Sequence, residues 1–371
     1  MNERSRPPFR ADHVGSLLRP PLLLAARERA ARGEIARAEL REVEDAAIRE
    51  AVAMQEGLGL RSVTDGEFRR TYFHIDFLER FDGIEASESG IAAHFHREDG
   101  DLDFAPPRLN VTGKLGRPRS IFGDDFSFLA GATRRTPKMT IPSPSMAHFR
   151  GGRGAVDSDA YPEMDAFFAD LARVYREEIS DLAARGCRYL QLDDTNLAYL
   201  CDPKLREGAR AIGEDPTRLP HTYARLINAA LAGRPADMVT AVHLCRGNFR
   251  SAWVAEGGYD PVAEALFGEI DVDAFFLEYD TDRAGDFAPL RYVPQGKIVV
   301  LGLVSTKHAT LEDKEMLKRR IDEASRFVPL ERLCISPQCG FSSTVHGNEI
   351  SLDDQRRKLA LVVELADEVW S

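Results

Sequence analysis

His243 and Cys245 stand two residues apart in the stretch Ala-Val-His-Leu-Cys-Arg-Gly-Asn, residues 241–248. They follow a short apolar run, 238–242, which predicts a buried strand. Side chains two apart along an extended segment leave the same face. An imidazole and a thiolate side by side at a strand end can supply two ligands of a zinc site. Two further candidate ligands close later strand-like runs: Glu278 at the end of 273–278, and Cys339 in Cys-Ile-Ser-Pro-Gln-Cys-Gly, 334–340. Taken alone, His-x-Cys equally describes a strand-end histidine beside ordinary core cysteines. Metal chemistry requires a fold that carries Glu278 and Cys339 to the same place.

The pattern along the chain predicts such a fold. Short runs rich in Val, Ile and Leu occur near residues 13, 61, 138, 188, 239, 273, 298 and 333. Most are separated by segments of helical period: 20–32, 37–56, 161–185, 222–231, 260–268, 311–327 and 352–370. Alternating strand and helix units mean parallel strands covered by helices. Eight of them predict a closed (β/α)8 TIM barrel, with residues 1–371 forming a single catalytic domain. Residues 83–135 break the rhythm with Gly, Pro, Asp and short alternating pieces. They read as an insertion, partly a β-hairpin, lying over one end of the molecule. His94 and His96 alternate with Phe95 there, as pocket-lining or as exposed hairpin histidines. An open dinucleotide-binding sheet would want G-x-G-x-x-G after its first strand. Neither that motif nor a P-loop is present.

The 371 residues are 43% hydrophobic and 29% charged, which suits a soluble protein with a large core. A net charge of -11 argues against nucleic acid or an anionic membrane as the main partner. Arg150, Arg153, Arg246 and Arg250 could still make a local basic patch. Five cysteines in so long a chain are not a disulfide scaffold. The start has no apolar run of the secretory kind, and no stretch approaches a membrane span, so the expected location is cytoplasmic.

The active site of such a barrel lies at the C-terminal ends of its strands. Ser16 follows the first run, Glu67 the second and Asp193 the fourth. His243 and Cys245 follow the fifth, Glu278 the sixth and Cys339 the eighth. The motifs His13-Val-Gly-Ser16, Asp65-Gly-Glu67, Gln191-Leu-Asp193, His243-x-Cys245, Glu278 and Ser336-Pro-Gln-Cys339-Gly340 resemble the catalytic barrel of cobalamin-independent methionine synthases. That family sits within the barrel methyltransferases that include uroporphyrinogen decarboxylase. The resemblance covers nearly the whole chain. It implies zinc on His243, Cys245, Glu278 and Cys339. It also implies that Ser16, Glu67 and Asp193 hold the amino-acid end of homocysteine, which is methylated to methionine. The chemistry agrees: carboxylates suit a substrate ammonium, and zinc holds a thiol as the nucleophilic thiolate.

The family's proton donor to a folate nitrogen is a histidine after strand seven. A gapless match places His308 there, in Val304-Ser-Thr-Lys307-His308, with Thr306 where the family has Asp. Lys307 is the alternative side chain to enter the site. Two-barrel relatives carry a further N-terminal domain, and the chain is expected to be the catalytic barrel alone. The donor therefore stays open between methyl-tetrahydrofolate and another methyl carrier. Oligomeric state also stays open, a homodimer included. Competing readings are alkyl transfer to another thiol such as coenzyme M, with epoxide opening, and a non-catalytic zinc-stabilised barrel.

Overall fold

The computed structural model describes residues 4–88, 93–97 and 100–370. Its strands are β1 (Ser62–Val63), β2 (Asp82–Ser87), β3 (Ala93–Phe95), β4 (Leu102–Phe104), β5 (Arg108–Gly116), β6 (Thr136–Pro137), β7 (Met139–Pro142), β8 (Tyr189–Asp194), β9 (Val239–Leu244), β10 (Ala274–Glu278), β11 (Ile298–Val304) and β12 (Leu333–Pro337). Strands β7 to β12 pair in sequence order as one parallel sheet. On the β7 side, β6 runs straight into β7 and pairs with β1, also parallel. On the other side, Ala11 pairs in parallel with Ile335 of β12. The segment after Ala11 is tied to β1 mainly by its neighbours' side chains: Ser62 Oγ donates to Asp12 at 3.0 Å, and Thr64 Oγ1 to the Gly15 carbonyl at 2.6 Å. The Leu17 N–H to Gly66 carbonyl bond, 3.0 Å, completes the join. The fold is an α/β barrel of the TIM type, and seven of its eight staves contain a named strand. The first stave, expected as a strand near residue 13, is a single bridge.

The period-two alternation of the strands sorts the core. Leu190, Leu192, Val242, Leu244, Phe275, Leu277, Val299 and Leu301 face the helices and join one large apolar cluster with them. The alternate residues Tyr189, Ala241, Ala274, Phe276, Ile298, Val300 and Cys334 fill the barrel's interior. Continuing each inward row toward the strand's C-terminal end gives Gln191 and Asp193, His243, and Glu278. Register keeps them level, with Asp193 opposite His243 and Phe276 opposite His243 on the other flank. The barrel interior is thus aromatic and aliphatic below and polar at the mouth.

The long helices fall where the 3.6 period places them: Arg37–Gly57, Met164–Ala184, Leu219–Leu231, Lys314–Ser325 and Leu352–Trp370. Residues 260–268 form a 3-10 turn and a π-helix instead of an α-helix. Helices Gly123–Ala132 and Pro203–Ala211 were not expected. The second starts at Asp202, whose carboxylate accepts the N–H groups of Lys204 and Leu205. In the inserted stretch, β2 pairs antiparallel with β5, and β3 with β4. The β3–β4 hairpin reaches the barrel mouth, where the backbones of His96 and Trp253 exchange two hydrogen bonds of 2.6 and 2.9 Å.

Candidate active site

A cavity of about 690 Å³ of empty space opens at the C-terminal ends of the strands. Ser16, Glu67, Asp193, His243, Cys245 and Cys339 all line it. Glu278 lies just behind, fully buried.

The sulfur side of the cavity is compact. Cys245 Sγ and Cys339 Sγ are 3.1 Å apart. His243 turns Nδ1 to Asp193 Oδ1 at 3.0 Å and Nε2 toward the Gln338 carbonyl at 3.4 Å. Hydrogen bonds from Cys245 and His243 hold the Cys339 thiol well below the ordinary range. Its partner Cys245 is pushed up, because it donates to that sulfur and is buried. Burial disfavours a charged His243, yet the bonds to Asp193 and Cys339 outweigh it and raise the imidazole to about 10.

Glu278 is gripped rather than free. Its Oε2 accepts the Arg246 N–H at 3.0 Å, and its Oε1 accepts from Arg283 Nη2 at 2.6 Å. Burial would raise its pKa, but Arg283, Lys307 and Arg246 together hold it below the ordinary value. Two sulfurs, an imidazole and a carboxylate form a donor set of the softness zinc prefers. The site already favours a thiolate at Cys339, so the residues fit that metal. Each Glu278 oxygen accepts one hydrogen bond and keeps a second lone pair, so the carboxylate can join the set while Arg283 and the Arg246 N–H hold it. Among the described residues, the trio whose ligand atoms all lie within 4.8 Å of one another is elsewhere, at His94, His96 and Asp101.

The opposite side carries the carboxylate Glu67. Its Oε1 accepts from Thr140 Oγ1 at 2.9 Å, while Oε2 is buried without a hydrogen-bond partner. Burial, with Asp193 nearby and against the pull of Arg70, raises this carboxyl to about 7. Glu67 has φ of 60°, a left-handed conformation that is uncommon outside glycine. Three contacts enforce it. Asp65 Oδ1 takes the Glu67 N–H at 2.8 Å, Arg19 Nη2 donates to the Glu67 carbonyl at 2.8 Å, and the Arg70 N–H does so at 3.0 Å. Asp193 Oδ1 accepts from both Gln191 Nε2, at 2.7 Å, and His243, joining the carboxylate side to the sulfur side. Ser16 Oγ lies against Gly340, where a Cβ would overlap it.

His308 does not reach this cavity. It is exposed on the loop after β11, because the chain turns outward beyond the buried Thr306. Lys307 turns inward instead. Its Nζ lies 3.4 Å from the Gly247 carbonyl and 3.3 Å from Asn248 Oδ1, and its charge favours the ionised forms of Cys245, Cys339 and Glu278. The four arginines expected as a basic patch are dispersed. Arg246 is buried over the Tyr259 ring, Arg150 lines the cavity, Arg153 bonds Val156 and Tyr161, and Arg250 pairs with Glu349. Trp253 stacks with Arg283 and does not line the cavity. The aromatic wall made by Tyr72, Phe73, Phe95, Phe104, Tyr199 and Phe249 was not read from sequence. Its members come from five separate segments, and no local spacing betrays them.

The model of the cobalamin-independent synthase catalytic domain matches residues 153–367. The chain belongs to this family, the cobalamin-independent methionine synthase-like methyltransferases. It is 45% identical over 370 residues to YxjH, an uncharacterized protein of Bacillus subtilis (strain 168), covering 99% of this chain and 96% of that protein. Against the 5-methyltetrahydropteroyltriglutamate--homocysteine methyltransferase of Thermotoga sp. (strain RQ2) it is 22% identical, and spans 45% of that longer protein. A solved structure from Listeria monocytogenes, provisionally assigned as a vitamin-B12 independent methionine synthase, has a TM-score of 0.80 and 40% identity, covering 99% of this chain and 100% of that one. No helix among the described residues is long and apolar enough to cross a membrane.

Proposed function

We propose that the chain transfers a methyl group to the thiol of homocysteine, forming methionine, with zinc bound by His243, Cys245, Cys339 and Glu278. One observation carries this reading. A sulfur-rich cluster and a buried carboxylate with an unsatisfied oxygen, Glu67 Oε2, face the same cavity. Such a pair suits a molecule with a thiol at one end and an ammonium at the other. A thiol ending in a sulfonate would meet Glu67 as a like charge, which disfavours coenzyme M. Ser16 and the backbone beside it would take the substrate carboxylate, and Asp193 would share the ammonium with Glu67.

Zinc, when bound, supplies the Lewis acidity that keeps a substrate thiol as thiolate near neutral pH. The protein's groups do the rest. Lys307 adds positive charge beside the sulfurs. Arg283 and the Arg246 N–H orient Glu278. The aromatic wall excludes water and seats the methyl donor. In the reaction a sulfur–carbon bond forms as the bond from methyl carbon to donor breaks, and the electron pair of that bond leaves with the donor.

The test is an assay of zinc-loaded protein with homocysteine and a panel of donors: mono- and polyglutamyl methyl-folate, methylcobalamin and S-methylmethionine. Methionine should appear with at least one of them. Cys339→Ser should lose both the tightly held zinc and the activity. Full zinc retention in that variant would overturn the ligand assignment.

A further inference from the structure

The hairpin that walls the cavity has a second chemical face. His94 lies on β3 and His96 directly follows its last residue, bridged to Trp253; along this extended stretch the two histidines leave one face while Phe95 leaves the other. Phe95 goes inward, buried against Phe249 with ring centres 5.4 Å apart, and lines the cavity. The two histidine rings go outward, 4.9 Å apart. The antiparallel pairing with β4 sets Asp103 opposite His94 and Leu102 opposite Phe95, so Asp101 arrives beside the histidines. Asp101 Oδ2 lies 2.9 Å from His94 Nε2, and its Oδ1 lies 3.5 Å from His96 Nδ1.

We propose that His94, His96 and Asp101 form a divalent transition-metal site, separate from the sulfur cluster in the barrel. Two imidazoles and one carboxylate are a borderline donor set that suits Zn²⁺, Ni²⁺ or Cu²⁺. Their half-open position leaves room for water to complete the coordination. The fourth residue supports this assignment. Asp103 Oδ1 lies 2.8 Å from His94 Nδ1, the nitrogen turned away from Asp101. A carboxylate on the far nitrogen is the usual partner of a metal-bound histidine, since it fixes the tautomer and the ring's direction. The backbone bonds from His96 to Trp253 then couple the ion to the loop that follows Cys245. An ion held here fastens Phe95 and Phe104 over the cavity from outside.

The test counts zinc in untagged protein by equilibrium dialysis. Wild type should hold two equivalents per chain, one tight and one weaker. His94→Ala/His96→Ala should lose the weaker one and keep the tight one, whereas Cys339→Ser should do the reverse. A weaker equivalent that survives the double substitution, or a wild type with only the equivalent lost in Cys339→Ser, overturns this site and leaves the barrel site standing. If a single equivalent is lost only in the double variant, the hairpin site stands and the barrel assignment fails. A second readout needs no stoichiometry. Trp253 and Trp370 are the chain's two tryptophans, and the Trp253 ring lies 6.3 Å from that of His96. Ni²⁺ added to protein dialysed down to its tight zinc equivalent should quench Trp253 saturably, also in Trp370→Phe, and not in the double variant. Asp103→Asn should weaken that quenching by about tenfold. Quenching unchanged by the double variant would overturn the proposal.

Discussion

Glu67 shows how one residue is tuned by its surroundings. Its carboxyl is buried and titrates near 7, so it is half protonated near neutral pH. An ammonium is held only by the ionised form. The KM for the thiol amino acid should therefore rise about tenfold per pH unit below pH 7. In Glu67→Gln it should be high, by about 10- to 100-fold, and flat with pH, since a charged hydrogen bond contributes roughly 1.5–3 kcal/mol. Steady-state kinetics from pH 5.5 to 8.5 would check both. The sign for stability runs the other way. A carboxyl raised above its unfolded value binds more protons when folded, so its contribution falls as pH climbs from about 4.5 to about 7. Thermal melts at pH 8 should find Glu67→Gln at least as stable as wild type. The six cavity-lining residues expected from sequence were legible because period-two alternation and strand ends are local patterns. His308 was not, because a gapless count cannot see that the loop turns outward after Thr306 and presents Lys307 instead. The hold of Arg283 and the Arg246 N–H on Glu278 was also invisible, as nothing in a strand pattern says which cation will fold back onto its end.

At the scale of elements, the site depends on how closely the β12 loop approaches the first stave. Gly340 has no side chain, and a Cβ there would strike Ser16 Oγ. The Phe341 N–H to Ser16 carbonyl bond, 3.0 Å, holds the two segments together. Gly340→Ala should push them apart and displace the adjacent Cys339. Zinc affinity should fall by tenfold or more, and stability by roughly 1–3 kcal/mol as for other overpacked sites. Competition with a chromogenic chelator and urea unfolding would measure the two effects. The long helices were readable because their apolar positions recur with helical period over several turns. Gly123–Ala132 hides behind a glycine and two aspartates at its start, and Pro203–Ala211 is mostly exposed and polar, burying only Ala209. A helix with one buried position, such as Pro203–Ala211, gives no apolar stripe to read.

At the scale of the whole molecule, the lower barrel is held by a buried charge pair between the first and third staves. Asp12 takes hydrogen bonds from Ser62, Tyr189, Lys138 and the backbone N–H groups of Phe9 and His13. Lys138, itself fully buried, sits over the rings of Tyr189 and Phe276. Asp12→Ala strands that ammonium and should cost about 3–5 kcal/mol. In urea the midpoint should fall with the slope little changed. This pair could not be read from sequence, because its members are 126 residues apart and each looks like an ordinary surface charge.

The bridge from Ala11 to Ile335 also has a consequence in time. Ser16, near the start of the chain, finds its partners at Gly340 to Ser342, near its end. Translation at about 5–20 residues per second separates the two by on the order of half a minute. Until then the first stave has no neighbour on its β12 side, and the cavity at the barrel mouth is incomplete. A ribosome stalled before residue 335 would carry most of the helices and strands and none of the activity. The four proposed zinc ligands of the barrel would accordingly meet only once Cys339 has been made and the β12 stave has closed against the first.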